Sequence, residues 1–416
     1  MGTLPADDGS RTFRSLRNRN YRLFFAGQVI SVPGTWMQTV GQSWLVLKLS
    51  HDSAFAVGLV TALQFVPMLL LGPVAGVMAD RYDKRRMLLV TQSWLGLTAA
   101  ALGAIVLAGT ARLWMVYVLA IVYGLGAVMD VPTRQAFASE LVGQDDLPNA
   151  VGLNSIVFNG ARIIGPALAA ATIAGLGIGW CFVLNALSFV AALIALGRID
   201  AAALERSIPV PRAKRQIRDG ILYAWRVPDL RSQLLLMAVF GTFAYNYPVV
   251  LPLLAKRTFA GNASTFSLLT AAMGVGAVIG AVYQARRTRL TGYTTYTMLA
   301  VSGAAAAVGA IVPSVWVLGV VMVVVGAANT TIFTNSNTLI QLRAAPEMRG
   351  RVVALRALVV LGGAPIGGPV VGALMEATNP RAGLILAAAT AALCVVGYGA
   401  ALRRETAAGT ALTVSA

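Results

Sequence analysis

Two charged side chains interrupt apolar runs in the first half of the chain, and their chemistry is the most specific that the sequence offers. Asp130 ends the run LWMVYVLAIVYGLGAVMD, and Arg162 lies within VFNGARIIGPALAA. A charge inside a hydrocarbon layer costs about 3 kcal/mol on insertion scales, so each one needs a structural or functional reason. Three roles are open: a self-neutralising ion pair, a carboxyl that takes up and releases protons as its distance from an arginine changes, or direct contact with a charged cargo.

Most other chemistry is excluded by the residues present. The only histidine is His51, and Cys181 and Cys394 both lie in apolar runs, so the sequence offers no metal-ligand spacing and no disulfide framework. It contains no G-x-x-x-x-G-K-[ST] loop and no nucleophile–base pair. Its basic residues lie between apolar segments rather than among base-stacking aromatics. We therefore expect no enzyme activity, no cofactor, no metal and no nucleic-acid partner.

The elements that must position Asp130 and Arg162 are membrane-spanning helices. The 416 residues are 57% hydrophobic and only 12% charged. Apolar runs reach the roughly 20 residues that cross a bilayer as a helix. We predict an all-α membrane protein whose twelve transmembrane helices lie at about 21–47, 54–79, 87–109, 113–138, 149–174, 178–197, 231–256, 263–284, 293–312, 314–340, 350–376 and 381–402.

The distribution of lysine and arginine predicts the orientation of these spans. Most of the 33 basic residues lie at the N-terminus, in the central polar insert and in every second loop. Lysine and arginine beside a span resist translocation across the membrane. We therefore expect a multi-pass protein with both termini in the cytoplasm.

The two halves of the chain repeat one pattern. Gly165-Pro166 in the fifth span recurs as Gly368-Pro369 in the eleventh. Gly76, before a charged turn, is matched by Gly280. Two pseudo-symmetric six-helix bundles with a site between them are typical of secondary transporters. We predict a first bundle, a cytoplasmic linker with an amphipathic helix, a second bundle and a disordered cytoplasmic tail, at residues 1–197, 198–230, 231–402 and 403–416.

The ion-pair role leads to a specific prediction. A short loop joins the fourth and fifth spans, and sequential helices are often neighbours. At 1.5 Å per residue, Asp130 and Arg162 differ in depth by roughly 8 Å, within reach of an extended arginine. We predict that they form a pair, and that any coupling to protons rests mainly on Asp130 and Asp80.

The charged turn between the second and third spans carries a family resemblance. Its sequence, GVMADRYDKRR, resembles the G-x-x-x-D-R-x-G-R-R signature of the major facilitator superfamily, with Asp83 in place of the usual glycine. The resemblance implies the major facilitator fold. It also implies a cytoplasmic turn that latches the two halves together in the outward-facing state through Gly76, Asp80, Arg81, Arg85 and Arg86.

A second resemblance lies in the fifth span. FNGARIIGPALAA is similar to the Gly-Pro motif of the drug–proton antiporters of that superfamily, carried here by Gly160, Gly165 and Pro166. A tight helix crossing also explains these small residues. RNYRLFFAGQ, MDVPTRQAF, NGARIIGP and MRGRVVALR resemble the transmembrane secretion effector branch, which includes enterobactin-exporter-like and Tap-like multidrug exporters. This resemblance implies a location in the bacterial cytoplasmic (inner) membrane.

The first, fourth, seventh and tenth spans are expected to face a central cavity. Aromatic and amide side chains with few charges suit a bulky, amphipathic, neutral or weakly charged ligand, although helix packing explains any single one of them. The candidates for the cavity are Gln28, Trp36, Gln38, Phe243, Tyr245, Asn246, Tyr247, Asn329, Phe333 and Asn335.

Together these features predict a secondary active exporter of lipophilic or amphipathic small molecules. Multidrug efflux by proton antiport with alternating access is the main interpretation. The alternatives are dedicated export of a siderophore-like metabolite and uncoupled lipid translocation. The expected partners are the small-molecule cargo, protons and the lipid bilayer, and the chain is expected to act as a monomer.

Overall fold

The computed structural model describes residues 13–205, 216–287, 289–407 and 414–415. Within these ranges the chain is helical nearly throughout, which confirms the predicted all-α membrane fold. We number the long helices α1 to α12, with the bounds Arg19–Leu49, Ala54–Arg81, Lys84–Leu107, Leu113–Gly143, Asp145–Gly175, Ile178–Gly197, Pro228–Thr258, Ala263–Ala285, Gly292–Ile311, Val315–Arg343, Pro346–Ala377 and Ala382–Ala407.

Eleven of these helices, α2 to α12, are long and apolar enough to cross a membrane. Helix α1 is also long enough, with 31 residues, but it carries several polar side chains. Gln28, Gln38 and Gln42 on α1 are all buried in the protein. Their polarity therefore faces neighbouring helices rather than lipid, and α1 completes the twelve.

Three short elements accompany the long helices. One of them lies in the central polar insert and is called here the linker helix. The elements are a 3-10 turn at Arg14–Arg17, the linker helix Gln216–Arg226, and an antiparallel pair of two-residue strands, Arg289–Leu290 with Val414–Ser415.

The predicted linker and tail fall partly outside the described residues, namely at 206–215, 408–413 and 416. The tail was predicted to be disordered from residue 403, but α12 continues to Ala407. The residues RRETA are mostly good helix formers, so nothing in them ends the helix at the membrane surface.

Glycines let the helices of each half approach closely, and the same contacts recur in both halves. A Cβ atom on Gly124 would lie 2.3 Å from the carbonyl oxygen of Gln64, where α4 crosses α2. A Cβ atom on Gly326 would lie 2.1 Å from the carbonyl oxygen of Met273, where α10 crosses α8. Close backbone packing of this kind stabilises helix pairs in lipid, where apolar burial contributes little. The repeat in the sequence is thus also a repeat in packing.

Helix α7 is interrupted near its centre. Pro248 has no amide proton, and a proline ring collides with the carbonyl four residues earlier in a regular helix. The backbone leaves helical geometry at Tyr245 and Asn246. Asn246 Nδ2 donates to the carbonyl of Thr242 (2.6 Å), which satisfies an acceptor that the break exposes. The interruption places Tyr245 between the two halves.

The two halves, α1–α6 and α7–α12, meet tightly at one end of the bundle. Helix α2 packs against α11 so closely that a Cβ atom on Gly58 would lie 2.2 Å from the carbonyl oxygen of Gly368. We call the end formed by residues 49–58, 256–266 and 368–383 the closed end. Toward the opposite end, the open end, the halves enclose a cavity.

Candidate functional site

The cavity between the halves has a volume of about 590 Å³, within the range of sites for small organic molecules. Exposed side chains of Ser155 and Arg287 lie at its mouth. Its wall combines hydroxyl and amide groups, one aromatic pair and two arginines. The wall residues are Ser155, Asn159, Arg162, Tyr245, Ala281, Gln284, Ala285, Arg287, Thr330, Phe333, Thr334, Thr338 and Val360.

Arg162 reaches from α5 in the first half to α7 in the second. Its Nη2 atom donates to the hydroxyl of Tyr245 (2.7 Å), and its guanidinium lies 5.4 Å from the centre of the Trp36 ring. Trp36 is held where α1 packs on α5, since a Cβ atom on Gly165 would lie 2.4 Å from the Trp36 Cβ. An aromatic face stabilises a cation by about 1–2 kcal/mol, which offsets part of the cost of its burial. Arg162 therefore bridges the halves without a carboxylate partner in the described chain.

Asp130 belongs to a different polar cluster, inside the first half, and is only 1% exposed. It pairs with Arg134, one turn later on α4. Its Oδ1 atom accepts hydrogen bonds from Thr91 (2.9 Å) and Gln92 (2.7 Å) on α3. Arg134 also donates to the side-chain oxygen of Gln28 (2.8 Å) on α1. One buried carboxylate therefore ties three helices together.

The predicted pair of Asp130 with Arg162 is wrong. The predicted span 113–138 contained Arg134, but the prediction placed the partner of Asp130 on the next span. In the structure α4 continues to Gly143, whose φ of 70° makes the turn into α5. Arg134 is thus four residues after Asp130 within one helix, a spacing that brings two side chains to the same face. That spacing was visible in the sequence and would have identified the partner.

Two of the ten predicted cavity residues line the cavity. Tyr245 and Phe333 meet edge to face, with ring centres 4.9 Å apart. Trp36 lies behind the cavity wall against Arg162, and Phe243 is half-buried near the break in α7. Most of the predicted aromatic residues therefore lie in or next to the observed wall, whereas the predicted amide residues do not.

The amide candidates and Tyr247 are buried and do not belong to the observed wall. Asn185 donates to Gln38 (2.6 Å), and Ser302 donates to Asn329 (2.8 Å). Buried amides need hydrogen-bond partners, and neighbouring helices provide them more readily than a ligand site does. Six predicted cavity residues lie outside the wall of this cavity: Gln28, Gln38, Asn246, Tyr247, Asn329 and Asn335.

The Gly-Pro motif of α5 has a packing role at one of its three positions. Gly165 lies where α5 crosses α1, and a Cβ atom added to it would lie 2.8 Å from the carbonyl oxygen of Pro33. Gly160 has open space where a Cβ would be, so packing does not explain it. Pro166 is buried within α5.

The charged turn between α2 and α3 is bound to its own half of the protein. Lys84 Nζ contacts Glu140 Oε1 on α4 at 2.6 Å, and both side chains are less than 8% exposed. Neither residue was predicted as functional. Of the predicted latch residues, Gly76 lies in α2, Arg81 and Arg86 are exposed, and the side chain of Asp80 lies outside the described part of the structure.

Arg85, another predicted latch residue, closes the end of α6. It donates to the carbonyls of Leu196 (2.9 Å) and Gly197 (2.8 Å), which have no partner within the helix. We expect Arg85→Ala to lose about 1.5–3 kcal/mol of stability, the range for hydrogen bonds to charged groups. Thermal unfolding in detergent measures this loss. The exposed neighbour Arg86 is the control, and an equal effect of Arg86→Ala would contradict the capping role.

The closed end is held by polar contacts between the halves. Glu376 on α11 accepts hydrogen bonds from Ser53 Oγ (2.7 Å) and from the amide of Phe55 (2.9 Å), at the start of α2. Lys256 pairs with Asp52 across the same end. These contacts are not visible in the sequence because their partners come from opposite halves of the chain.

Two pseudo-symmetric helical halves around a cavity that is closed at one end define a secondary transporter. The chain belongs to the transmembrane secretion effector family of the major facilitator superfamily, whose family model matches residues 10–412. It is therefore a membrane transporter and not an enzyme.

Individual relatives share about a quarter of their residues with this chain. The staphyloferrin A transporter of Staphylococcus aureus is 25% identical, over 82% of this chain and 87% of the relative. The multidrug efflux pump Tap of Mycolicibacterium fortuitum is 27% identical, over 84% and 87%. The enterobactin exporter EntS of Salmonella typhimurium is 27% identical, over 87% of each chain.

The fold is also that of a solved transporter. A bacterial homologue of the human lysosomal transporter Spinster, in an inward-facing and unoccupied conformation, superposes with a TM-score of 0.71. The match covers 97% of this chain and 98% of that one at 16% identity, so it supports the fold alone.

Proposed function

We propose that the protein is a secondary active exporter of lipophilic or amphipathic small molecules that works by proton antiport with alternating access. The observation that best supports this proposal is the cavity between the halves, which is sealed at one end by the crossing of α2 and α11. Its aromatic and hydroxyl-bearing wall suits a molecule with an apolar body and a few polar groups. A rocking motion that opens the closed end and closes the open end would pass such a molecule across the membrane.

The proposed direction follows from charge. The loops at the open end carry most of the lysine and arginine, which supports an orientation with that end and both termini in the cytoplasm of a bacterial inner-membrane protein. The cavity of this structure is then inward-facing, and the contacts of Glu376 and Asp52 lie at the outer surface.

Asp130 is the proposed proton site. Protonation would remove the negative charge that holds Arg134, and Arg134 would then be free to move relative to Gln28 on α1. Binding and release of a proton at this cluster would thereby change how α1, α3 and α4 pack. The side chain of Arg134 is 18% exposed, so the cluster is not fully enclosed by protein.

Proton flux in liposomes tests the proposal. The purified chain is reconstituted with an internal pH dye, and amphipathic compounds of different charge are added. We expect cargo-dependent proton flux in the wild type that is lost in Asp130→Asn, because an amide does not titrate. Asp145→Asn removes the same charge at an exposed position and should keep the flux. Cargo movement that ignores the pH gradient in the wild type would contradict antiport and favour uncoupled lipid translocation.

A second candidate is dedicated export of a siderophore-like metabolite. Two of the relatives are named for the siderophores staphyloferrin A and enterobactin, and a third for multidrug efflux. A ligand screen separates the candidates. One tight ligand among many inactive compounds would favour a dedicated exporter, and many weak ligands would favour multidrug efflux.

A further inference from the structure

We propose that the cavity selects organic anions, and that Arg162 is the residue that contacts the anionic group. The ligand class is an aromatic or otherwise amphipathic molecule with a carboxylate or a similarly charged group. This inference rests on the proposed transport function and adds the charge of the cargo to it.

The positive charge of Arg162 has no oppositely charged partner among the described residues. Its described contacts are the Tyr245 hydroxyl and the face of Trp36, both uncharged. The carboxylate of Asp130, predicted as its partner, is occupied by Arg134, Thr91 and Gln92 instead. An arginine inside a membrane protein usually pairs with an acid or marks a ligand pathway. Here the acid is committed elsewhere, so the ligand-pathway role remains.

The charged side chains described around Arg162 are all positive. Its wall includes Arg287 and, among the described wall residues, no Asp or Glu. Arg356 lies directly behind the wall, where it donates to the Phe333 carbonyl (2.8 Å), and its Nε atom is buried without a hydrogen-bond partner. A low-dielectric cleft lined by charges of one sign concentrates ligands of the opposite sign. The cavity therefore favours anions and disfavours cations.

The groups around Arg162 also define the body of the ligand. Tyr245 and Phe333 form an edge-to-face pair in the cavity wall, and Trp36 contacts the guanidinium from behind the wall. An aromatic ring joined to a carboxylate would place its charge on Arg162 and its body on the rings of Tyr245 and Phe333. The carboxylate would compete with the Tyr245 hydroxyl for Arg162 and so loosen a contact between the halves. Ligand binding would in this way act directly on the junction that rocks.

Equilibrium binding of two matched compounds tests the inference. Naphthalene-2-carboxylate and its uncharged primary amide differ in charge but hardly in shape. Calorimetric titration of the full chain in detergent measures both affinities. We expect the wild type to bind the carboxylate about ten-fold more tightly or better, the size of one charged hydrogen bond. Arg162→Gln should abolish the preference, Arg162→Lys should keep part of it, and Arg286→Gln, an exposed arginine outside the wall, should keep all of it.

Each other outcome overturns the anion proposal. These are equal binding of the acid and the amide by the wild type, an unchanged preference in Arg162→Gln, or an equal loss in Arg286→Gln. Binding of neither compound to the wild type would also overturn it. The titration needs no pH gradient, so its result is independent of antiport. Proton-coupled transport without a preference for anions would contradict the anion proposal but would still support the proposed transport function.

Discussion

Replacing Gly58 with leucine is expected to hold the closed end open and to reduce transport to about a tenth or less. A Cβ atom at this position would lie 2.2 Å from the carbonyl oxygen of Gly368 and 2.6 Å from its carbon, both of them backbone atoms that cannot rotate away. Helices α2 and α11 must then move apart. Overpacking of this kind costs typically 1–3 kcal/mol. Since each 1.4 kcal/mol changes a population about ten-fold, the state with the closed end sealed becomes a minor one.

A distance between spin labels at the closed end measures this change. Thr110 and Pro313 are exposed, one in each half, and both native cysteines are buried, so cysteines at these two positions take up the labels. The distance should lengthen in Gly58→Leu. Gly72→Leu, on the same helix but with no atom within 4 Å of the added Cβ, should match the wild type in distance and in transport. A wild-type distance in Gly58→Leu would mean that the crossing of α2 and α11 does not control the closed end.

The fold was predictable because its main signals are local. Apolar runs, polar breaks and loop charges each lie within a few tens of residues, and a transmembrane helix satisfies its own backbone hydrogen bonds whatever its neighbours are. Helix ends were less predictable. The turn at Gly143 is so tight that α4 and α5 absorb most of the predicted loop between them. Arg134 lay inside the predicted fourth span as well, so the partner of Asp130 was missed at the four-residue spacing within one helix.

The site was less predictable because its contacts join distant parts of the chain. Nothing near Glu376 in the sequence indicates that it accepts hydrogen bonds from Ser53 and Phe55, on the opposite half. The amides on α1 and α10 share the composition of a ligand site, yet they tie helices together. Arg162 stands out in the sequence as a charge within an apolar run. Its contact with Tyr245, however, depends on the break in α7, which no count along one helix predicts.

One matched pair of helices carries different polar contacts in the two halves. In the first half, α1 and α4 meet through Gln28 and Arg134, with Asp130 beside them. In the second, α7 and α10 meet through Gln233 and Ser336, in a neutral hydrogen bond of 2.8 Å. The helix contact is therefore repeated, and an ion pair between Asp229 and Arg343 also joins α7 to α10 near their ends. The Asp130 side chain is only 2% exposed, against 21% for Asp229, so Asp130 is the more deeply buried carboxylate and the residue to test further.

Asp130 has two possible roles, and a pair of variants separates them. Removing one partner of a buried ion pair costs about 3–5 kcal/mol, because the other charge is left in the protein interior. Arg134 is partly exposed, so Asp130→Asn should lose stability near the lower end of that range. The double variant Asp130→Asn, Arg134→Gln has no stranded charge and keeps hydrogen-bonding groups, so it should regain most of the loss. Thermal unfolding in detergent measures both effects.

Transport by the double variant then decides the role of Asp130. A purely structural ion pair would be replaced by the two amides, and proton-coupled transport would return together with stability. A proton site cannot be replaced by an amide, so we expect a stable double variant whose cargo movement no longer responds to the pH gradient. Cargo binding should be kept, since Asp130 and Arg134 are outside the cavity wall. Restored coupling would contradict the proton role of Asp130 and leave it as a structural link between α3 and α4.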